Sequence, residues 1–167
     1  MGRDVSPRVI AAAIFAVAVA AIGGAWAYES LGYLPCELCY KERIPYYAAF
    51  VLAPLAGLAA QTGRAGLARA TFLLLSLLFL ADTALSIYHS GVEWKIFAGP
   101  SDCSGPLSSA ASMDDFMKQL QTVKVVRCDT PTLWVLGLTL ANWNVLISGA
   151  LALLAAIGAR GKAALSR

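Results

Sequence analysis

The sequence predicts an all-α, polytopic membrane protein: a four-transmembrane-helix bundle with a long outer loop that carries a short amphipathic helix. Three observations predict it. Hydrophobic residues make up 59% of the 167-residue chain, and the mean hydropathy is +0.67, too apolar for an ordinary soluble domain. The apolar residues come in four blocks, 9–28, 44–60, 70–88 and 133–157, rather than at amphipathic spacing. The polar segments between them differ systematically in charge from one side to the other.

Residues 9–28 hold no charge, and at 1.5 Å per residue they span about 30 Å, the thickness of a bilayer core. The second block, 44–60, is slightly short and contains Pro45 and Pro54. The third, 70–88, is interrupted only by Asp82, and 133–157 is the fourth. In lipid each segment must satisfy its own backbone groups, so the blocks are expected to be helices. The chain reads as one membrane domain, 1–167, with outer loops 29–43 and 89–132. A rival reading of the start is a signal peptide, with Arg3 and Arg8, an apolar run and the small-x-small sequence Ala25-Trp26-Ala27. That run is long enough to span, and its loss would leave three helices.

Orientation follows from the basic residues. The segments before the first span, between spans two and three and after the fourth hold Arg3, Arg8, Arg64, Arg69, Arg160, Lys162 and Arg167 against one acid, Asp4. The opposite side holds Lys41, Arg43, Lys95, Lys118, Lys124 and Arg127 against eight acids. The positive-inside rule puts both termini in the cytoplasm. The other loops then face outward, in a bacterium the periplasm, where disulfides persist. The net charge of +3 reflects this topology, and no nucleic-acid partner is expected.

The outer loop 89–132 opens with Gly91, Gly99, Pro100, Gly105 and Pro106, which are turn signals. Ser112 followed by Met113, Phe116, Met117 and Leu120 then predicts a short amphipathic helix. It lies either on the outer leaflet or against the protein itself. Asp129-Thr130-Pro131 is expected to cap the fourth span.

All four cysteines fall in the outer polar segments: Cys36 and Cys39 in a Cys-x-x-Cys pair, Cys103 and Cys128 in the long loop. Free cysteine packs as a small hydrophobe, so packing alone would place cysteines in the apolar runs. The pair admits three readings: redox centre, half a zinc site or structural disulfide. Zinc usually asks for a second close Cys or His pair, whereas Cys103 and Cys128 lie 25 positions apart and His89 is the sole histidine. A three-residue ring gives little entropic stabilisation, which suits a bond made and broken. If the stretch is helical, Arg43 shares a face with Cys39. The guanidinium and the helix N-terminus would then favour a thiolate at Cys39. Pro45 opposes helical torsions at Ile44, which favours a separate short turn for the pair.

These residues carry a resemblance. Pro35-Cys36-x-x-Cys39-x-x-x-Arg43 at the mouth of the second span, with Cys103 and Cys128 beyond, resembles the DsbB family of disulfide-bond-formation proteins. The segment from Tyr88-His89-Ser90-Gly91 to Gly99-Pro100-Ser101-Asp102-Cys103 is similar to the form in many proteobacterial members. The resemblance implies a thiol:quinone oxidoreductase of the bacterial inner membrane. Its partners would be a periplasmic DsbA-like thiol oxidase, the membrane quinone pool and the lipid bilayer, with ubiquinone or menaquinone as cofactor and no metal. It implies redox roles for Cys36, Cys39, Cys103 and Cys128, with Cys103 forming the mixed disulfide with the partner. Cys39 would meet the quinone, Arg43 would stabilise charge there, and His89 is a further quinone-site candidate. A DsbA-type partner sits near −120 mV and ordinary structural disulfides below about −300 mV, a gap of roughly 8 kcal/mol for two electrons. Either the pairs are unusually oxidising or the quinone pulls the exchange forward.

Two alternatives stand beside this reading. One is a vitamin K epoxide reductase-like enzyme, whose Cys-x-x-Cys lies in a late helix. The other is a non-enzymatic four-helix scaffold with two structural disulfides. Among other intramembrane residues, Asp82 reads as an interhelical hydrogen-bonding group or as a tuner of proton uptake. Asn142 and Asn144 read as helix–helix contacts. Tyr46 and Tyr47 read as interfacial residues or walls of a quinone pocket.

Overall fold

The structure, a computed structural model, describes residues 5–100, 112–113, 117, 126–131 and 133–161. Four helices long and apolar enough to cross a membrane dominate it: α1 (Pro7–Ser30), α2 (Glu37–Gln61), α3 (Ala65–Glu93) and α4 (Leu140–Arg160). Neighbours in sequence pack together, and α4 also meets α1, so the bundle closes. A two-stranded hairpin, β1 (Trp134–Val135) and β2 (Leu138–Thr139), precedes α4. The expected amphipathic helix falls mostly outside the described residues; Met113 and Met117 within it are helical and exposed.

The helices approach through small side chains. Ala11, Ala18, Ala49, Ala53, Ala56, Ala152 and Ala155 are buried together with Ile14, Phe72, Leu75, Phe79 and Leu151. Lipid tails are as apolar as leucine, so close backbone packing supplies what a hydrophobic driving force supplies in water. Large residues turn outward instead: Val51, Leu58, Leu77, Leu80 and Leu153 are each about 60% exposed or more, as lipid-facing positions are.

Two boundaries differ from the sequence expectation. The second helix begins at Glu37, not 44, and runs unbroken through Pro45 and Pro54. Proline removes one backbone donor and crowds the preceding turn, but buried packing of Pro45, Tyr46 and Ala49 holds this helix in place. The separate turn for the cysteine pair is therefore not formed. The fourth helix begins at Leu140, not 133, and Asp129-Thr130-Pro131 does not cap it. Residues 134–139 form the hairpin, whose turn residues Leu136 and Gly137 both have positive φ, 52° and 81°. That geometry matches the twist of a two-residue hairpin. Thr139 then caps the helix, its side chain accepting the N–H of Asn142, and Trp143 Nε1 donates to the Val135 carbonyl at 3.0 Å.

A polar seam crosses the apolar bundle. Tyr46 Oη donates to Asn144 Oδ1 at 2.6 Å. Asn144 Nδ2 donates to Asp82 Oδ2 at 3.1 Å and to Ser86 Oγ at 2.7 Å. Asn144 is thus a helix–helix contact, and Asp82 makes the expected interhelical bond.

Space at the helix contacts decides tolerance to substitution. A Cβ added at Gly158 would stand 2.8 Å from the fully buried Phe72 ring, whereas at Gly23 it would meet nothing within 4 Å. Gly158→Val is expected to cost ~1–3 kcal/mol by overpacking, and Gly23→Ala to leave stability unchanged or slightly raised. Thermal unfolding in detergent checks both; equal melting temperatures would contradict the packing of α3 on α4.

Candidate functional site

The site lies at the end of the bundle where α2 begins and α3 ends, and starts from the first turn of α2. Cys36 is the N-cap, in extended conformation, and its sulfur accepts the backbone N–H of Cys39 at 3.3 Å. One helical turn brings the two side chains together, so that the sulfurs of these free cysteines lie 2.9 Å apart. Cys36 is buried and Cys39 half-buried.

Because α2 continues as a helix, Glu42 follows Cys39 on the same face, and α3 supplies His89 opposite. His89 presents Nε2 to Cys36 Sγ at 3.6 Å and Nδ1 to Glu42 Oε1 at 2.8 Å. The three side chains form a buried row, Glu42–His89–Cys36, with exposures of 6%, 2% and 5%. A histidine held by a carboxylate at one nitrogen has its tautomer and orientation set for the other.

Arg43 takes a different position from the one expected. Its guanidinium pairs with Glu29 at the end of α1 and stacks 5.3 Å from the Tyr40 ring centroid. The groups that favour a thiolate converge on Cys36 instead. Its thiol is held well below the usual thiol range, first by the hydrogen bond from the Cys39 side chain and also by the adjoining His89 ring, against the upward push of burial. These contacts favour a thiolate at Cys36. Arg43 nonetheless lines the same cavity as Cys39.

The long loop reaches the same place. Cys128 is disulfide-bonded and buried in a small apolar cluster with Cys36, Leu38 and Val92. Cys103 lies outside the described residues. The loop is tied down beside Cys128: Lys95 Nζ donates to Asp129 Oδ2 at 2.5 Å and to its carbonyl at 2.8 Å. Arg127 and then Lys95 hold the Asp129 carboxyl well below the usual carboxylate range.

Cys36, Cys39, Glu42, Arg43, His89 and Cys128 all line one cavity of about 280 Å³. Its walls also include Ala20, Ala21, Gly24 and Ala25 of α1, Tyr46 of α2 and Trp143 and Ile147 of α4, with polar Glu93, Arg127, Thr130 and Asn144 among them. A Cβ at Gly24 would meet nothing within 4 Å, so this face of α1 leaves room. Apolar and aromatic surface beside a thiol, a guanidinium and an imidazole could hold a small planar cofactor. Tyr47, the other tyrosine considered for that role, is exposed and packs on Phe50.

Glu42 and Glu29 were read only as part of the outer acidic balance. The signal for Glu42 is its offset of three from Cys39, which has meaning once 36–43 is known to be helical. Nothing in the sequence pairs Glu29 with Arg43.

Fold and site thus define a multi-pass membrane protein with a dithiol centre at one end of its bundle. The family model described as disulfide bond formation protein DsbB matches residues 7–158, and the chain belongs to the DsbB family. No curated protein and no solved structure matches the chain. Membership makes this a membrane protein of disulfide bond formation.

The hydrogen bond from Cys39 and the His89 contact have a measurable consequence. A depressed thiol pKa favours the thiolate, which is present above that pKa and lost as pH falls through it. In reduced protein one thiolate is expected to persist well below pH ~8.5, the ordinary cysteine midpoint. Cys39→Ala, which removes the donor, is expected to move that midpoint upward. Thiolate ultraviolet absorbance against pH reads both; a wild-type midpoint at the ordinary value would contradict the arrangement.

Proposed function

We propose that this chain is a membrane thiol:quinone oxidoreductase. It re-oxidises a periplasmic DsbA-like thioredoxin-fold dithiol and passes the electrons through two cysteine pairs to ubiquinone or menaquinone. The observation that carries this reading is the convergence of Cys36, Cys39 and Cys128 on one cavity with an apolar floor.

The chemistry balances in two exchanges. The partner's two thiols become a disulfide while the Cys103–Cys128 disulfide becomes two thiols. That loop dithiol is then re-oxidised as a Cys36–Cys39 disulfide is opened. Each exchange moves two electrons and two protons. Burial of Cys128 against Cys36 supports Cys36 as the sulfur nearest the loop pair. His89, oriented by Glu42, stands at Cys36 to take or return the thiol proton as the pair opens and closes. Half-buried Cys39 is the sulfur turned to the acceptor. Cys39, Arg43 and His89 would hold the polar edge of a quinone, and the small residues of α1 with Ile147 its apolar face. When bound, the quinone supplies the two-electron, two-proton acceptor. By the distribution of basic residues, both termini face the cytoplasm of a bacterial cell and the cysteine loops the periplasm.

The test uses detergent-purified protein, ubiquinone or menaquinone, and a reduced thioredoxin-fold partner, following quinone absorbance and partner thiols together. One quinone reduced per dithiol oxidised is expected. Cys39→Ser and Cys103→Ser should each reduce overall transfer to background. Folded wild-type protein that is inert with both quinones would make the cysteines structural and the chain a scaffold.

A further inference from the structure

The row that ends at Cys36 has a second chemical property, independent of electron transfer. Among the described residues, Cys36 Sγ, Cys39 Sγ and His89 Nε2 all lie within 4.8 Å of one another. These are the ligand types that zinc-like d¹⁰ ions select. The spacing also suits them. A tetrahedral ion ~2.3 Å from sulfur and ~2.0–2.1 Å from nitrogen sets an S···N edge of roughly 3.6 Å. Cys36 Sγ and His89 Nε2 stand at 3.6 Å, a hydrogen-bond distance for sulfur that also equals that edge. The S···S edge would be about 3.8 Å, so the sulfurs must part from 2.9 Å by roughly 0.9 Å. Rotation about the Cα–Cβ bond of half-buried Cys39 supplies that movement.

An observation beyond the three ligand atoms points the same way. Zinc-bound histidines almost always give their other ring N–H to a carboxylate or carbonyl. Here His89 Nδ1 meets buried Glu42 at 2.8 Å, so that Nε2, once without its proton, faces the sulfurs with a lone pair. The cavity adjoins the group and gives access to a fourth ligand such as water.

We infer that the reduced Cys36–Cys39 pair and His89 form a three-ligand site for a thiophilic divalent ion of the zinc class, oriented by Glu42, which holds the pair reduced. Binding is not a redox step. The protons still held by the two sulfurs and by His89 Nε2 leave to solvent, two S–metal bonds and one N–metal bond form, and the sulfurs stay at the thiol level. The oxidised pair, having no thiolates, does not bind. A bound ion therefore blocks disulfide formation between Cys36 and Cys39, an inhibitory function distinct from the proposed relay.

The test needs neither quinone nor partner. Full-length protein carrying Cys103→Ser and Cys128→Ser is reduced with a phosphine, freed of reductant and titrated with ¹¹³Cd²⁺, with Zn²⁺ as competitor. One ion per chain is expected by the sulfur-to-cadmium charge-transfer band, and none after oxidation of the pair. Because His89 is the sole histidine, ¹⁵N-labelled histidine reports on one ring: Nε2 is expected to shift and couple to ¹¹³Cd. Glu42→Gln, with its fold checked by melting in detergent, should weaken binding at least about tenfold. An unmoved histidine signal during cadmium binding, or binding equally tight to the oxidised pair, would overturn the inference.

Discussion

The outer end of this molecule depends on one constraint: α2 must continue as a helix from Glu37 through Pro45. Helical geometry brings Cys36 and Cys39 into contact and turns Glu42 and Arg43 to the side of Cys39. A break at Pro45 would detach the cysteine turn from the bundle and from His89 on α3. The proline does cost the helix a hydrogen bond. In lipid the freed carbonyl of a preceding turn must find another partner, and near the outer surface that demand is weakest. Burial of Pro45 and Tyr46 between neighbouring helices offsets the remainder.

Deeper in the bundle, polarity is confined to a seam in which nearly every group has a partner. Asn144 of α4 meets Tyr46 of α2 and Asp82 and Ser86 of α3, so a single side chain links three helices. Thr83 and Ser148 share a hydrogen bond at 2.9 Å, and Ser76 donates to the Ala152 carbonyl at 3.0 Å. Such bonds are individually modest in membranes, about 0.6 kcal/mol on average, but they select one rotational setting of each helix. That setting turns His89 inward. Asp82 Oδ1 has no partner among the described residues, and it lies two turns below His89 on the same helix.

The two outer segments perform different mechanical tasks. The hairpin before α4, anchored by Trp143 and by the Thr139 bond to Glu93 at 2.5 Å, joins the start of α4 to the end of α3. The Lys95–Asp129–Arg127 cluster pins the chain around Cys128 at the surface. Exposed ion pairs of this kind contribute little stability. Their effect is positional, since they flank a buried sulfur that belongs to the same cluster as Cys36.

Four spans, their helical state, and the position of the Cys-x-x-Cys pair at the mouth of the second were legible in the sequence. Apolar block length and backbone satisfaction in lipid leave few alternatives, and charge asymmetry needs no coordinates. The Cys-x-x-Cys pair with Arg43 was legible for the same reason, being local in sequence. Residues far apart in the chain were not. Glu42 and His89 are 47 positions apart, Cys36 and Cys128 lie on separate loops farther apart still, and their meeting depends on how α2 and α3 rotate against each other. Arg43 shows the limit most directly: its spacing offered Cys39 as a partner, but the end of α1 brought Glu29 closer. Local spacing determines which side chains share a helical face; only packing between helices decided which of them share a site.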